Sequence, residues 1–74
     1  MKLSEIKDGE NVKIVALGNS GRIAEKLKNL GISVGATVKV MRRAPFGTTT
    51  EIRSGNTRVA IGRNETDKIA VEYV

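Results

Sequence analysis

The sequence contains no cysteine, no histidine and no tryptophan, and Pro45 is its single proline. The absence of cysteine excludes disulfides and thiolate metal sites. The absence of histidine as well removes the usual borderline metal ligands and the commonest catalytic base. We therefore expect no catalytic residue, no metal site and no bound cofactor.

Aromatic side chains are almost as scarce, because Phe46 and Tyr73 are the only two. Val, Ile, Leu and Ala must therefore supply nearly all of the core. A chain of 74 residues is expected to form one domain over residues 1–74. It lies near the lower size limit for folding alone, where about 60% of the unfolded surface is buried.

Long hydrophobic runs are absent too. The longest apolar run, residues 14–17, is far shorter than the ~20 residues that span a bilayer. Residues 1–5 also lack the apolar core of a signal peptide. We expect a cytoplasmic protein without membrane insertion. The oligomeric state is left open.

Positively charged residues outnumber negatively charged ones in this chain. The chain has 13 Lys and Arg against 8 Asp and Glu, a formal net charge of +5. The excess permits association with acidic proteins, nucleic acid or an anionic membrane face. The charges are dispersed, and only Arg42 and Arg43 are adjacent basic residues. An ordinary solvated surface explains dispersed charge equally well.

The first third of the chain indicates a helical turn followed by a strand. Leu3 and Ile6 lie one turn apart, and Gly9 follows Asp8 in a turn signal. Residues 11–17 then alternate between polar and apolar with the period of a half-buried strand. The side chains predicted on its inner face are Val12, Ile14 and Ala16.

Residues 21–30 are predicted to form a helix. Ser20 is the expected N-cap, and Gly31 supplies the left-handed residue that ends the helix. Ile32 would then contact Leu27 in a Schellman-type stop. The apolar side chains at helical spacing on one face are Ile23, Ala24, Leu27 and Leu30.

The rest of the chain indicates short strands. Residues 36–42 form the second strand, with Val38 and Val40 facing inward. Residues 48–53 and 57–61 form a hairpin around the turn pair Gly55-Asn56. Residues 62–67 read as a turn or a short 3₁₀ segment, and residues 68–73 form the last strand, with Ile69, Val71 and Tyr73 alternating.

The hairpin turn also fixes which side chains face each other. Its register pairs Ile52 with Val59, and Thr50 with Ile61, on the inner face. On the outer face it sets Arg53 opposite Arg58, a like-charge pair that is mildly destabilising. Five short strands at close spacing favour closure, which removes exposed sheet edges. We predict a mostly β, small SH3-like five-stranded barrel with one α-helix between strands 1 and 2 and a short N-terminal helical turn.

Several motifs in this order resemble the FeoA family, nearly from end to end of the chain. The middle motif is fairly specific, whereas the terminal ones would be weak alone. The motifs are Leu3-x-x-Ile6-x-x-Gly9, Leu27-x-x-Leu30-Gly31-Ile32-x-x-Gly35-x-x-Val38-x-Val40, Ala44-Pro45-x-Gly47, Val59-Ala60-Ile61-Gly62-Arg63 and Ile69-x-Val71-Glu72.

The resemblance implies a non-enzymatic, cytoplasmic accessory role in ferrous iron uptake, with a peripheral location at the inner membrane through its partner. FeoA proteins are thought to act with FeoB, a membrane ferrous-iron transporter that carries a cytoplasmic GTPase domain. The same fold occurs as the C-terminal domain of iron-dependent repressors. One departure from the family pattern is the run Thr48-Thr49-Thr50 after the Ala-Pro-x-Gly motif. This run favours an earlier start of the third strand.

The candidate partner-binding residues surround the Pro-Gly loop. Phe46 lies between Pro45 and Gly47, where a large side chain has little room to be buried. An exposed aromatic residue beside arginines is typical of an interface hot spot. The proposed contact set is Met41, Arg42, Arg43, Pro45 and Phe46. In the alternative arrangement, Phe46 folds back over the barrel as part of the core.

Two other functions are weighed against this one. Arginines 42, 43, 53, 58 and 63 could form a basic surface for nucleic acid, so a nucleic-acid-binding or regulator-type barrel is the alternative function. However, base stacking needs aromatic side chains, which are scarce. Metal binding is the second function, and it would depend on carboxylates. The closest carboxylate pairs, Asp8 with Glu10 and Glu65 with Asp67, lie in turn-like segments where such residues are usually solvated or capping.

Overall fold

The computed structural model describes residues 1–18, 21–43 and 49–74. Within these ranges, five strands form one antiparallel sheet in the order β4-β3-β2-β1-β5. A 3₁₀ turn, Leu3–Glu5, precedes the first strand. The other elements are β1 (Asn11–Ala16), α1 (Arg22–Asn29), β2 (Thr37–Arg43), β3 (Thr49–Ser54), β4 (Thr57–Gly62), α2 (Arg63–Thr66) and β5 (Ala70–Tyr73). The predicted mostly β architecture, with one helix between the first two strands and a short N-terminal turn, is confirmed.

The N-terminal segment covers the outer edge of β5. Lys2 forms an antiparallel bridge with Ala70, and the N–H of Val71 donates to the Met1 carbonyl at 2.7 Å. The N–H of Leu3 donates to the Ile69 carbonyl at 2.8 Å. An edge strand with unpaired backbone groups would be open to edge-to-edge pairing, so these bonds protect β5.

The core is aliphatic and draws on every strand. Seven of its residues are the inward positions predicted from alternation and hairpin register: Val12, Ile14, Val38, Val40, Ile52, Val59 and Ile61. Thr50, predicted on the inner face opposite Ile61, is also buried. Leu3, Ile6, Ile23, Leu27, Ile32, Ile69 and Val71 complete the cluster.

The end of α1 follows the predicted Schellman geometry. The N–H of Ile32 donates to the Leu27 carbonyl at 2.7 Å, and that of Gly31 donates to the Lys28 carbonyl at 3.0 Å. Gly31 has φ 81°, a left-handed conformation that glycine adopts without strain. Ile32 and Leu27 are both buried in the core, which supplies the apolar contact that accompanies this motif.

The start of α1 differs from the prediction. Gly21 is the N-cap residue, with φ 60° and ψ −124°, so the assignment of the cap to Ser20 was wrong by one position. Ser20 itself lies outside the described residues. Leu30, predicted on the buried face, is 41% exposed because it is the C-cap residue, where the chain leaves the helical path.

A register shift in β1 changes a second prediction. Ile14 pairs with Val71, whereas Ala16 pairs with the adjacent Ala70, so Val15 is an extra residue in the strand. A β-bulge of this kind interrupts the strict alternation of faces. Ala16, predicted on the inner face, is therefore exposed.

The remaining strand boundaries shift by one or two residues. β1 ends one residue early, β2 begins and ends one residue late, and β5 begins at Ala70 rather than at residue 68. The segment predicted as a turn or 3₁₀ piece contains the four-residue helix α2, in which the hydroxyl of buried Thr66 donates to the Arg63 carbonyl at 3.0 Å. β3 is observed from Thr49, and Thr48, its predicted start, lies outside the described residues.

Candidate partner-binding surface

A second bulge sets the direction of the residues at the end of β2. Val40 pairs with Ile52, whereas Arg42 pairs with the adjacent Glu51, so Met41 is the extra residue. Strict alternation would place Arg42 on the same face as buried Val40. The bulge instead brings Arg42 to the outer face, opposite Glu51, where it is exposed.

The structure describes three of the five predicted contact residues. Met41 is half-buried and Arg42 is exposed, while Arg43 occupies the register position opposite Thr50. These three residues follow one another at the end of β2. Pro45 and Phe46 lie outside the described residues, so their contact role stays a prediction and the choice between core and interface for Phe46 remains open.

A larger feature lies on the outer face of the same strands. Lys39 on β2 pairs with Arg53 on β3, and Arg53 pairs with Arg58 on β4. All three residues are exposed. They form one row of cations that crosses three strands, which we call the cationic row.

The cationic row was only partly predictable. The two-residue turn at Gly55-Asn56 fixes the register of its own hairpin, so the Arg53–Arg58 pair was predicted and is confirmed. The position of Lys39 depends on the register between β2 and β3. The β2–β3 register includes the bulge at Met41, and the connection between the two strands is longer than the turn at Gly55-Asn56. Hydrophobic periodicity therefore does not predict which residues of β2 and β3 pair.

The side chains of the cationic row start from neighbouring positions on the sheet, and none of them forms an ion pair within the described residues. Directly opposite residues in a sheet are about 4.5–5.5 Å apart at Cβ, well within the Debye length of about 8 Å at physiological salt. In the part of the chain that the structure describes, the one ion pair joins Lys13 Nζ to Glu72 Oε1 at 3.2 Å. It lies on β1 and β5, so no member of the row belongs to it.

The Arg53 guanidinium is held in place by its own hairpin. Its Nε donates to the Gly55 carbonyl at 2.7 Å, and Gly55 has φ 60° in the turn between β3 and β4. This bond uses one donor and leaves the two terminal amino groups for other acceptors. Arg53 is therefore the fixed centre of the cationic row.

The carboxylates considered as metal ligands are dispersed. Over residues 1–18, 21–43 and 49–74, no group of three or more His, Cys, Asp or Glu side chains could hold a metal ion. Asp8, Glu10 and Asp67 are exposed and Glu65 is half-buried. The described helices also include none that is long and apolar enough to cross a membrane.

Comparison with known proteins decides the family. The model of the FeoA domain matches residues 1–73. This chain belongs to the FeoA family. The resemblance inferred from the sequence motifs is thereby confirmed, and the FeoA family is associated with ferrous iron transport.

Solved FeoA structures share the fold across the whole chain. The FeoA protein of Chlorobium tepidum is 32% identical, with a TM-score of 0.91, and the match covers 100% of this chain and 70% of that one. Iron(II) transport protein A of Clostridium thermocellum is 34% identical, with a TM-score of 0.87. That match covers 100% of this chain but 46% of the other, so this chain spans under half of that relative.

A third relative connects the fold to SH3 domains. Stenotrophomonas maltophilia FeoA, solved in complex with zinc, is 25% identical with a TM-score of 0.79, and the match covers 97% of this chain and 89% of that one. It is described as a prokaryotic SH3 domain protein and as a candidate activating factor for ferrous iron transport. The predicted SH3-like fold is confirmed.

More distant matches share the fold alone. The metal-dependent transcriptional regulator MtsR is 14% identical with a TM-score of 0.83, and the match covers 36% of that chain. ScaR with bound Zn²⁺ is 16% identical with the same TM-score. Among curated protein sequences, none matches this chain significantly.

Proposed function

We propose that this FeoA-family protein is a non-enzymatic accessory protein of ferrous iron uptake, which modulates a FeoB-type transporter by protein–protein contact. The observation that carries the proposal is the family match over residues 1–73. Residues 1–74 act as one domain in this account, at the cytoplasmic face of the inner membrane. The exposed cations on the outer face of β2–β4 support a role in contact rather than in chemistry.

The proposed mechanism is a bias on the transporter's conformational equilibrium. A rigid barrel presents Met41, Arg42, Arg43, Pro45 and Phe46 to the transporter's soluble GTPase domain. Binding changes nucleotide turnover or pore opening only to the extent that the barrel binds one transporter state more tightly than another. The aliphatic core draws on every strand, including β2, which carries Met41 and Arg42.

The alternative of nucleic-acid binding has weaker support. Arg42, Arg53 and Arg58 share the outer face through the strand registers, but Arg63 begins α2 instead. The transcriptional regulators that share the fold are only 14% and 16% identical, a level that carries no functional argument. We therefore keep nucleic acid as an outcome to be tested.

The direct test combines uptake and capture. Deletion of the gene should lower ferrous iron uptake, and expression of the wild-type chain should restore it. The purified protein should also bind the detergent-solubilised FeoB-type transporter of the same organism. Normal uptake in the deletion strain, together with no transporter binding, would refute the proposal.

A matched pair of variants locates the contact. Phe46→Ala and Arg42→Gln should weaken transporter binding while the melting temperature stays close to that of the wild type. Tyr73→Ala is the control, because Tyr73 is 53% exposed on β5, outside the proposed contact set. If Phe46→Ala lowers the melting temperature sharply with no separate effect on capture, Phe46 belongs to the core.

A further inference from the structure

The arrangement of charge on the outer face of the sheet needs an explanation beyond solubility. Lys39, Arg53 and Arg58 are consecutive register partners on three neighbouring strands, and all are exposed. Like charges placed directly opposite each other on a sheet are destabilising. Dispersed charges would keep the protein soluble without that disadvantage.

Local compensation of this charge is slight. Glu51 lies on the same face, diagonal to Lys39 and Arg58 and two residues before Arg53 on β3, but its direct cross-strand partners are Arg42 and Ala60. In the described ranges, no ion pair includes a residue of the cationic row. A surface that favours opposite charge from outside the chain accounts for this pattern.

We propose that the cationic row is the docking site for an acidic segment of a protein partner. The identity of that partner as the transporter rests on the proposed function, whereas the acidic chemistry of the bound segment follows from the row itself. Each carboxylate of such a segment would form charge-assisted hydrogen bonds with the guanidinium or ammonium groups.

Arg53 is the best-prepared member of this site. Its Nε is already bonded to the Gly55 carbonyl at 2.7 Å, so less side-chain freedom is lost when a ligand binds. The remaining terminal amino groups can engage a carboxylate, because the guanidinium presents its donors in a fixed planar arrangement. Lys39 and Arg58 lie on either side of it and extend the site along the row.

The size and composition of the row favour a peptide over nucleic acid. Strands lie about 4.8 Å apart, so three cations span roughly 10 Å between the outer two. Proteins that bind duplex DNA with strong salt dependence neutralise about 6–10 phosphates. On the described outer face, the β1 partner of Lys39 is Asn11 and the next cross-strand pair is Glu51 with Ala60, so these neighbours include no aromatic side chain for base stacking.

The test uses a defined acidic probe and two charge-matched variants. The probe is a fluorescein-labelled octaglutamate peptide, and binding is followed by fluorescence anisotropy at low salt. The test variant is Lys39→Gln/Arg53→Gln/Arg58→Gln. The control is Lys7→Gln/Arg22→Gln/Lys68→Gln, which removes the same charge from exposed positions outside the row.

The docking site predicts a split between the two variants. Peptide affinity should fall at least tenfold in the test variant and less than twofold in the control, with both folded by circular dichroism. Peptide affinity should fall about threefold in the single variant Arg58→Gln, which retains the Arg53–Gly55 hydrogen bond. An equal loss in both triple variants would overturn the proposal, as would tighter binding of a 20-base-pair DNA duplex than of the peptide.

A second arm separates this inference from the proposed function. The same variants are tested against the purified cytoplasmic domain of the FeoB-type transporter. If the wild type binds the transporter domain and the test variant does not, the result supports both the docking site and the proposed function. If all variants bind equally well, the docking site is overturned while the proposed function stands. If the wild type binds the peptide through the row but not the transporter, the docking site stands and the transporter is the wrong partner.

Discussion

The outer face of the sheet is organised differently in its two halves. On β1 and β5, Lys13 lies opposite Glu72, and the two form an ion pair at 3.2 Å. On β2–β4, the cationic row places Lys39, Arg53 and Arg58 side by side. The β1–β5 half pairs opposite charges across strands, whereas the cationic row pairs like charges beside one cross-strand pair of opposite charge, Arg42 with Glu51.

The difference in charge pairing cannot arise from the inner face of the sheet, because both halves pack against the same core. Ile14 on β1 and Ile52 on β3 are each fully buried. Cross-strand pairs of opposite charge stabilise a sheet, whereas like charges destabilise it. The β1–β5 half therefore has the charge arrangement expected of a surface under selection for stability, and the cationic row has the arrangement expected of a binding surface.

The largest predicted effect tests whether the two halves share one core. Ile14→Ala and Ile52→Ala should each lower the free energy of unfolding by about 2–5 kcal/mol, because both remove buried methyl groups and leave cavities. Urea unfolding followed by circular dichroism measures this loss. A loss below about 1 kcal/mol in only one variant would break the assumption that the halves differ on the outer face alone.

Charge reversal should change stability in opposite directions in the two halves. Arg58→Glu places a carboxylate opposite Arg53 and should raise the free energy of unfolding by about 0.2–1 kcal/mol. Glu72→Lys places a second cation opposite Lys13 and should lower it by a similar amount. The same unfolding assay, run at low salt, compares the two variants directly. Destabilisation by both variants would contradict the interpretation of the cationic row as an unfavourable arrangement.

The smallest predicted effect concerns the ion pair itself. The Lys13 and Glu72 side chains are 44% and 55% exposed, so solvent screens their attraction. Glu72→Gln should lower the free energy of unfolding by about 0.5 kcal/mol or less, and 1 M NaCl should remove the difference. The measurement is a double-mutant cycle with Lys13→Gln. A coupling that persists undiminished in 1 M NaCl would mean that the pair is more than a screened surface contact.

The sequence predicts the fold well where local rules decide the outcome. The hairpin register follows from the two residues Gly55-Asn56, and the helix stop follows from Gly31 with Ile32. The inner-face residues of β3 and β4 follow from alternation along each strand. In each case the deciding residues are neighbours in the chain or lie across a tight turn.

Prediction from sequence fails where an extra residue enters a strand. The bulges at Val15 and Met41 reverse the faces of Ala16 and Arg42, and no composition signal marks them. A bulge is specified by tertiary pairing with the neighbouring strand. The place of Lys39 in the cationic row depends on the pairing of β2 with β3, so the complete row follows from the structure and not from the sequence alone.

The central claim is that a partner contacts the cationic row and not the ion-paired half of the same face. Nuclear magnetic resonance of the ¹⁵N-labelled protein, titrated with the transporter's cytoplasmic domain, tests it most directly. The account predicts large amide shift changes at Lys39, Arg53 and Arg58, and at Met41 and Arg42 of the proposed contact set, with little change at Lys13 and Glu72. Changes concentrated at Lys13 and Glu72, with the row unaffected, would contradict it.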